Sequence, residues 1–222
     1  MESCSLDEAA CALRRGEVAI FPTDTVYGLG VAVNAADGPG ALYALKGRDE
    51  GKPIAWLVDG PEALCRYGCD VPVIARLAAA AFWPGPLTLI VRASDAVPPA
   101  FRSAAGTIGL RMPDDARALA LIRAAGAPLA TTSANPSGTP APRTFSEVDS
   151  ALAARAAAVV WEGGGEDAFG IARGAGAESA PSGCASTVLD CTTAPPRILR
   201  EGAIPLSAIE ALLAEPNGEG RG

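Results

Sequence analysis

Polar and apolar positions divide this chain into short segments of alternating character. Ser5-Leu6-Asp7-Glu8 sets a carboxylate three residues after a hydroxyl, a capping box, and predicts a helix that stops at Gly16. Residues 17–21 then read as a buried strand running into Pro22. The pattern predicts a second helix over 36–45 and a strand over 54–58. Residues 61–67 and 72–82 read as helices, the second with Val73, Leu77 and Ala81 at helical spacing. Trp83-Pro84-Gly85-Pro86 is a rigid turn, because each proline fixes φ and removes a donor. It feeds an apolar strand over 87–91. A strand over 107–112, a helix capped by Asp114 and reaching about 125, and a strand over 128–132 follow. Residues 133–143 form a loop dense in Ser, Asn, Gly and Pro. A helix over 145–154 and a strand over 157–161 come next. The glycine-rich stretch 163–181 reads as a surface excursion. Strands over 186–190 and 197–200 and a closing helix over 205–213 complete the order. The polar tail 215–222 has the composition of a disordered segment.

Strands and helices mingle here without strict alternation. The expected fold is α/β, a twisted open mixed sheet with flanking helices, in a single domain over 1–214. There is no internal repeat and no dividing linker. A chain of 222 residues suffices for one large domain or two small ones, and one with 49% hydrophobic but only 5% aromatic residues builds an aliphatic, alanine-rich core. Such a core needs no metal or disulfide staple. Net charge is −7, which disfavours a wide nucleic-acid footprint but leaves room for a local basic pocket.

The chain contains no histidine. That removes Ser-His-Asp and Cys-His catalysis and any imidazole ligand or base. Chemistry is left to Lys, Arg, hydroxyls, carboxylates, backbone amides or a metal carried by the substrate. The six cysteines form no CxxC pair, so no zinc site is expected. The N-terminus lacks a signal peptide's apolar stretch, and no run reaches membrane-spanning length. A cytoplasmic protein is expected, its reduced thiols serving as small hydrophobes.

Only two residues are lysine, Lys46 and Lys52, and they flank Arg48 within seven positions. An ammonium is a point charge and a guanidinium a planar fork, a combination that suits a polyphosphate. A solvated loop explains the stretch equally well. Further polar clusters lie at strand ends, where open α/β sheets bind ligands. Thr23-Asp24-Thr25, before Gly28-Leu29-Gly30, suits a small polar ligand or a helix cap. Arg111 ends a strand and can grip a carboxylate, or pair with Asp114 or Asp115. Thr131-Thr132-Ser133-Ala134-Asn135-Pro136-Ser137-Gly138 holds more hydroxyls than a turn requires and can donate to phosphate oxygens. Ser186-Thr187 and Arg200 complete the set. No Walker loop is present, and Gly28-Leu29-Gly30 lacks the third glycine of a dinucleotide fingerprint.

Together, FPTDTVYGLG (21–30), KGRDEGKP (46–53), WPGPLTLIV (83–91), TIGLRMPD (107–114), TTSANPSG (131–138), STVLD (186–190) and ILREGAI (198–204) resemble the YrdC-like family, the L-threonylcarbamoyladenylate synthases, in its single-domain form. The resemblance implies an open sheet around a concave, positively charged cavity. It implies a nucleotidyltransferase reaction in which L-threonine, bicarbonate and ATP give threonylcarbamoyl-AMP and pyrophosphate. A tRNA threonylcarbamoyl transferase is the implied partner, with at most weak tRNA contact. By the family pattern Arg48, Lys52, Thr107, Ser133, Asn135, Ala141 and Arg200 contact ATP, Ala141 through its backbone. Thr25, Arg111, Thr131 and Ser186 hold threonine, with Arg111 on its carboxylate. Lys46, Arg48 and Lys52 stabilise the leaving pyrophosphate, together with Mg²⁺ that enters with ATP rather than in a protein cage. The chain departs from the pattern at Leu57, where many relatives have histidine, and at Ala185, where glutamate is common. Its 163–181 stretch is also longer than usual. Two other functions fit less well: a carbamoyltransferase-type domain using carbamoyl phosphate, and an RNA-binding maturation factor.

Overall fold

The capping box at Ser5 forms as its sequence demands. The Ser5 hydroxyl accepts the Glu8 amide at 3.2 Å, and the Glu8 carboxylate accepts the Ser5 amide at 2.7 Å. Helix α1 (Leu6–Arg14) starts there and buries Leu6, Ala9, Ala10, Ala12 and Leu13 along one side. The computed structural model describes residues 4–47, 49, 53–161 and 183–214. Arg48, Lys52, the 163–181 stretch and the 215–222 tail therefore lie outside the described residues.

The strands are β1 (Ala19–Phe21), β2 (Gly28–Ala32), β3 (Ala55–Leu57), β4 (Gly68–Cys69), β5 (Leu87–Ala93), β6 (Thr107–Arg111), β7 (Leu129–Ser133), β8 (Ala158–Val159), β9 (Thr187–Asp190) and β10 (Arg197–Arg200). The other helices are α2 (Gly40–Lys46), α3 (Ala63–Tyr67), α4 (Val73–Phe82), α5 (Ala116–Ala125), α6 (Ser150–Ala153) and α7 (Leu206–Ala214). Among the described residues the strands form one ten-stranded sheet in the order β10-β9-β5-β6-β3-β7-β2-β1-β8, with β4 paired to β5. The β1–β8, β3–β6 and β5–β9 pairs are parallel and the rest antiparallel, so the sheet is mixed as expected.

Strand side chains alternate between faces, and that period assigns the two sides different work. Ile20, Leu29, Val31, Trp56, Leu87, Leu89, Val91, Ile108 and Leu110 all enter the larger core, with residues of α2, α3, α4 and α7. The opposite face is shared. Under β1, β2 and β7, Phe21, Ala32 and Leu129 pack with α1 and α5 in a second, smaller core. Under β3, β5, β6 and β9 that face carries Ala55, Thr88, Ile90, Thr107, Gly109, Arg111 and Val188, and it is open.

Several local expectations shift. Gly28 and Gly30, read from the sequence only as glycines that follow a polar cluster, lie in a fully buried strand, β2. Helix α2 starts at Gly40 instead of 36, because Pro39 disfavours helical backbone at Gly38. The cap of α5 is Asp115, one residue after Asp114, and its carboxylate accepts the Ala118 amide at 2.8 Å. The helix expected over 145–154 splits into a 3₁₀ turn, Phe145–Glu147, and α6. Asp149 causes the break by capping a new start through the Leu152 amide at 2.8 Å. In α4 the stripe of Val73, Leu77 and Ala81 points outward, and the small Ala75, Ala78 and Ala79 turn to the core. Of the six free thiols only Cys191 is buried. Burial pushes the Cys191 thiol up to about 12, so it fits the expected small hydrophobe, whereas Cys11, Cys65, Cys69 and Cys184 are exposed.

Candidate functional site

The open face of the sheet is the floor of a cleft of about 300 Å³. Register fixes its plan. Ala55 stands opposite Gly109 on one side and Thr131 on the other, and Leu57 likewise opposite Arg111 and Leu129. Thr107 and Ser133 therefore lie beyond one side of the Thr131–Ala55–Gly109 row, and Arg111 beyond the other. Strands β5, β9 and β10 extend the floor through Thr88 opposite Val188, and Val188 opposite Arg200.

Arg111 is almost fully buried, and each of its three nitrogens is held. Nε donates to the Gly85 carbonyl at 3.1 Å, Nη1 to the Thr25 hydroxyl at 2.9 Å and Nη2 to Asp24 at 2.5 Å. Both side chains of the Asp24–Arg111 pair are less than a tenth exposed. Thr23 donates to the Val26 carbonyl at 2.6 Å, so Thr25, 3.1 Å away, must donate to Thr23 while accepting from Arg111. The turn after β1 is thus neither a helix cap nor loose. It is a hydrogen-bonded chain that orients one guanidinium, and Asp24, not Asp114 or Asp115, is the partner of Arg111.

Lys46, at the last turn of α2, is also buried. Its ammonium donates to the Ser133 carbonyl, to the Ser133 hydroxyl at 3.3 Å and to Asn135 Oδ1 at 3.2 Å. Asn135 in turn donates to the Pro136 and Thr139 carbonyls at 3.0 and 2.6 Å. This network ties the hydroxyl-rich loop to α2, reinforced by the Ser137 amide on the Lys46 carbonyl at 3.0 Å. Ser186 joins Thr88 through their hydroxyls at 2.9 Å. Arg200 donates to the Ser186 carbonyl at 3.0 and 2.8 Å and to its hydroxyl at 3.0 Å.

Thr25, Thr107, Arg111, Thr131, Ser133, Ala141, Ser186 and Arg200, all expected from the sequence, line this one cleft. Lys46 and Asn135 stand behind Ser133 and brace it; Arg48 and Lys52 lie outside the described residues. Thr88 and Ser103 were not singled out as site residues, and Asp24 stood only within the Thr23-Asp24-Thr25 cluster, with no role of its own. Thr88 had a signal, a lone hydroxyl within an apolar strand at the cleft-facing parity. Ser103 is bound to Thr107, their hydroxyls 2.7 Å apart, and no sequence pattern marks it. Among the described residues, nine of those lining the cleft are Ser or Thr, and the only charged ones are Arg111 and Arg200. Such a wall suits anions and polar groups, and its described lining residues include no carboxylate to hold a cation. Among the described residues no group of three or more Cys, Asp or Glu residues is arranged to hold a metal ion, and no helix is long and apolar enough to cross a membrane.

Residues 11–172 match the Sua5/YciO/YrdC family model, described as telomere recombination. The chain belongs to the Sua5/YciO/YrdC family. Threonylcarbamoyl-AMP synthases of Pyrococcus abyssi and Bacillus subtilis are 33% and 38% identical to it over 97% and 93% of its length. The chain spans only 59% and 56% of those two relatives. The fold of the family recurs in the crystal structure of P. abyssi Sua5 complexed with L-threonine, with a TM-score of 0.79 and 34% identity over 95% of this chain and 57% of that one. Escherichia coli YciO, 24% identical, shares the fold at a TM-score of 0.71 over 89% of both chains.

Proposed function

We propose that this chain is a cytosolic L-threonylcarbamoyladenylate synthase, a nucleotidyltransferase that uses L-threonine, bicarbonate and ATP. The observation that carries the reading is the single cleft in which a braced guanidinium, Arg111, lies across the Thr131–Ala55–Gly109 row from Thr107 and Ser133. Arg111 takes the threonine carboxylate, with Thr25, Thr131 and Ser186 around the rest of the amino acid. Thr107, Ser133, the Ala141 backbone and Arg200 take the nucleotide. Lys46 and Asn135 hold Ser133 in position, and Arg48 and Lys52 neutralise phosphate charge.

The amine of threonine adds to carbon dioxide derived from bicarbonate and loses a proton, giving a carbamate. A carbamate oxygen attacks the α-phosphorus, the bond to the β-bridging oxygen breaks, and its electrons leave with pyrophosphate. Positioning and charge neutralisation suffice for this step, which suits a cleft with no histidine. Mg²⁺, brought in on the triphosphate, supplies further neutralisation of the phosphate oxygens. The product then passes to a partner transferase that modifies tRNA. Net charge of −7 weighs against RNA binding as the primary role.

Incubation with ATP, bicarbonate and each amino acid in turn, followed by mass identification of the adenylate, tests the proposal. The expected product is threonylcarbamoyl-AMP, formed with one pyrophosphate and dependent on bicarbonate. Turnover with carbamoyl phosphate in place of threonine and bicarbonate, or no adenylate with any amino acid, overturns it.

A further inference from the structure

Three glycines, Gly28 at the start of β2 and Gly30 and Gly109 in strand interiors, lie on the cleft side of the sheet, and glycine weakens a strand. Two are explained by packing. A Cβ on Gly28 would come within 3.0 Å of Thr131 Cγ2 and 3.2 Å of the Phe21 ring, and one on Gly30 within 3.0 Å of both Phe21 and Thr131. Gly109 is different. A Cβ there would meet Thr88 Cγ2 at 3.4 Å and Ala55 Cβ at 3.5 Å, ordinary contact distances. Its backbone lies in a regular strand outside the left-handed region, so neither packing nor conformation demands glycine. The surplus space opens into the cleft, since Gly109 is one of its lining residues. Gly109 is also central. Thr107 precedes it by two and Arg111 follows it by two on the same face, with Ala55 and Ile90 opposite it on either side.

We infer that Gly109 is a substrate-positioning residue, kept without a side chain so that the carbamate and the α-phosphate can meet over its Cα. The inference rests on the proposed function, which sets the amino acid on the Arg111 side of Gly109 and the nucleotide contacts Thr107 and Ser133 on the other, with Arg200 reaching the nucleotide from the Arg111 side, beside Ser186. A methyl group projects about 1.5 Å beyond Cα. It would stand in the space between two substrates that must approach to bond-forming distance. Either substrate alone keeps its own end of the trough. The methyl group therefore obstructs their joint placement more than it obstructs either binding event.

The test uses the full chain and the variants Gly109→Ala and Gly109→Val. For Gly109→Ala, thermal unfolding is expected at or above the wild-type midpoint, because alanine fits the site and favours a strand over glycine. ATP and threonine, titrated singly by calorimetry, are expected to bind within a few-fold of wild type. Turnover is expected to fall about 10²-fold, as displacements on the order of 1 Å do to near-attack geometry. Gly109→Val, with two further methyls, should lose more turnover than Gly109→Ala. Undiminished turnover in Gly109→Ala overturns the inference and leaves the synthase reading standing. So does a lowered unfolding midpoint with proportionate loss of both binding events, which would make Gly109 structural. Wild-type protein that forms no threonylcarbamoyl-AMP overturns the synthase reading and the inference together.

Discussion

Buried charge at the cleft is held by a few side chains, and its removal is costly. Asp24 and Arg111 are both almost wholly out of water, and deleting one member of such a pair strands the other. Asp24→Ala should lower unfolding free energy by about 3–5 kcal/mol. Asp24→Asn, whose amide oxygen still accepts from Arg111, should cost visibly less, and denaturant titration of the two variants checks the order. Lys46 follows the same logic with neutral acceptors. Its ammonium satisfies the Ser133 carbonyl and the Asn135 amide together, so Lys46→Ala and Asn135→Ala should not add. A double-mutant cycle on stability should return a coupling of about 0.5–3 kcal/mol; strict additivity would mean that the two groups act separately. Arg48→Ala and Lys52→Ala bear on catalysis instead. Each should raise the barrier by roughly 2–4 kcal/mol if it faces developing charge on the phosphates, read from kcat/KM for ATP.

Elements were legible in the sequence where one local signal dominated. The capping box gave α1, the helix expected to reach about 125 does end there, and the apolar run at 87–91 became β5, the longest strand among the described residues. Elements set by tertiary packing were not legible. Strand β2 hides behind two glycines whose missing side chains accommodate Phe21 and Thr131, a contact visible only once β1, β2 and β7 are side by side. The stripe of α4 misleads because alanines seat this helix closely while its larger apolar residues face out. Residues of the site were readable as hydroxyls and cations clustered after strands, but their partners were not. Asp24 and Arg111 are 87 positions apart, as are Lys46 and Ser133, and nothing local announces either meeting. The cap of α5 allows an element-scale test. Burial raises the Asp115 carboxyl above the ordinary range, against the lowering effect of the Ala118 amide. Its folded form thus holds a proton to higher pH than the unfolded chain does. The resulting stability is complete below about pH 4 and is lost as pH rises through the folded value. Asn is an equally good N-cap and does not titrate. Wild type minus Asp115→Asn in unfolding free energy should therefore decline as pH rises from about 4, in a series of denaturant curves. A difference that rises with pH would contradict the burial of this carboxyl.

At the scale of the molecule, the cleft belongs to no single element. Its floor comes from β2, β3, β5, β6, β7, β9 and the end of β10, all strands of one hydrogen-bonded sheet, and the turn after β1 and loop residues such as Ser103, Ala141 and Ser186 complete its walls. Ligand occupancy should therefore stabilise the sheet as a whole instead of ordering one lobe. A ligand that binds only the folded chain adds RT ln(1 + [L]/Kd), about 2.7 kcal/mol at a hundredfold excess over Kd. For a chain of this length each kcal/mol moves the midpoint by about 2–4 °C. ATP at that excess should thus raise the unfolding temperature by roughly 5–11 °C in one cooperative transition. Threonine added with a non-hydrolysable ATP analogue should raise it further, because Arg111 lies on the opposite side of the Gly109 row from Thr107 and Ser133. Arg111→Ala, compared with its own ligand-free midpoint, should keep the nucleotide increment and lose the threonine increment. A nucleotide increment that vanished with Arg111, or a transition that split in two on adding ATP, would show that the two substrate regions do not share one sheet-borne cleft in the way the register implies.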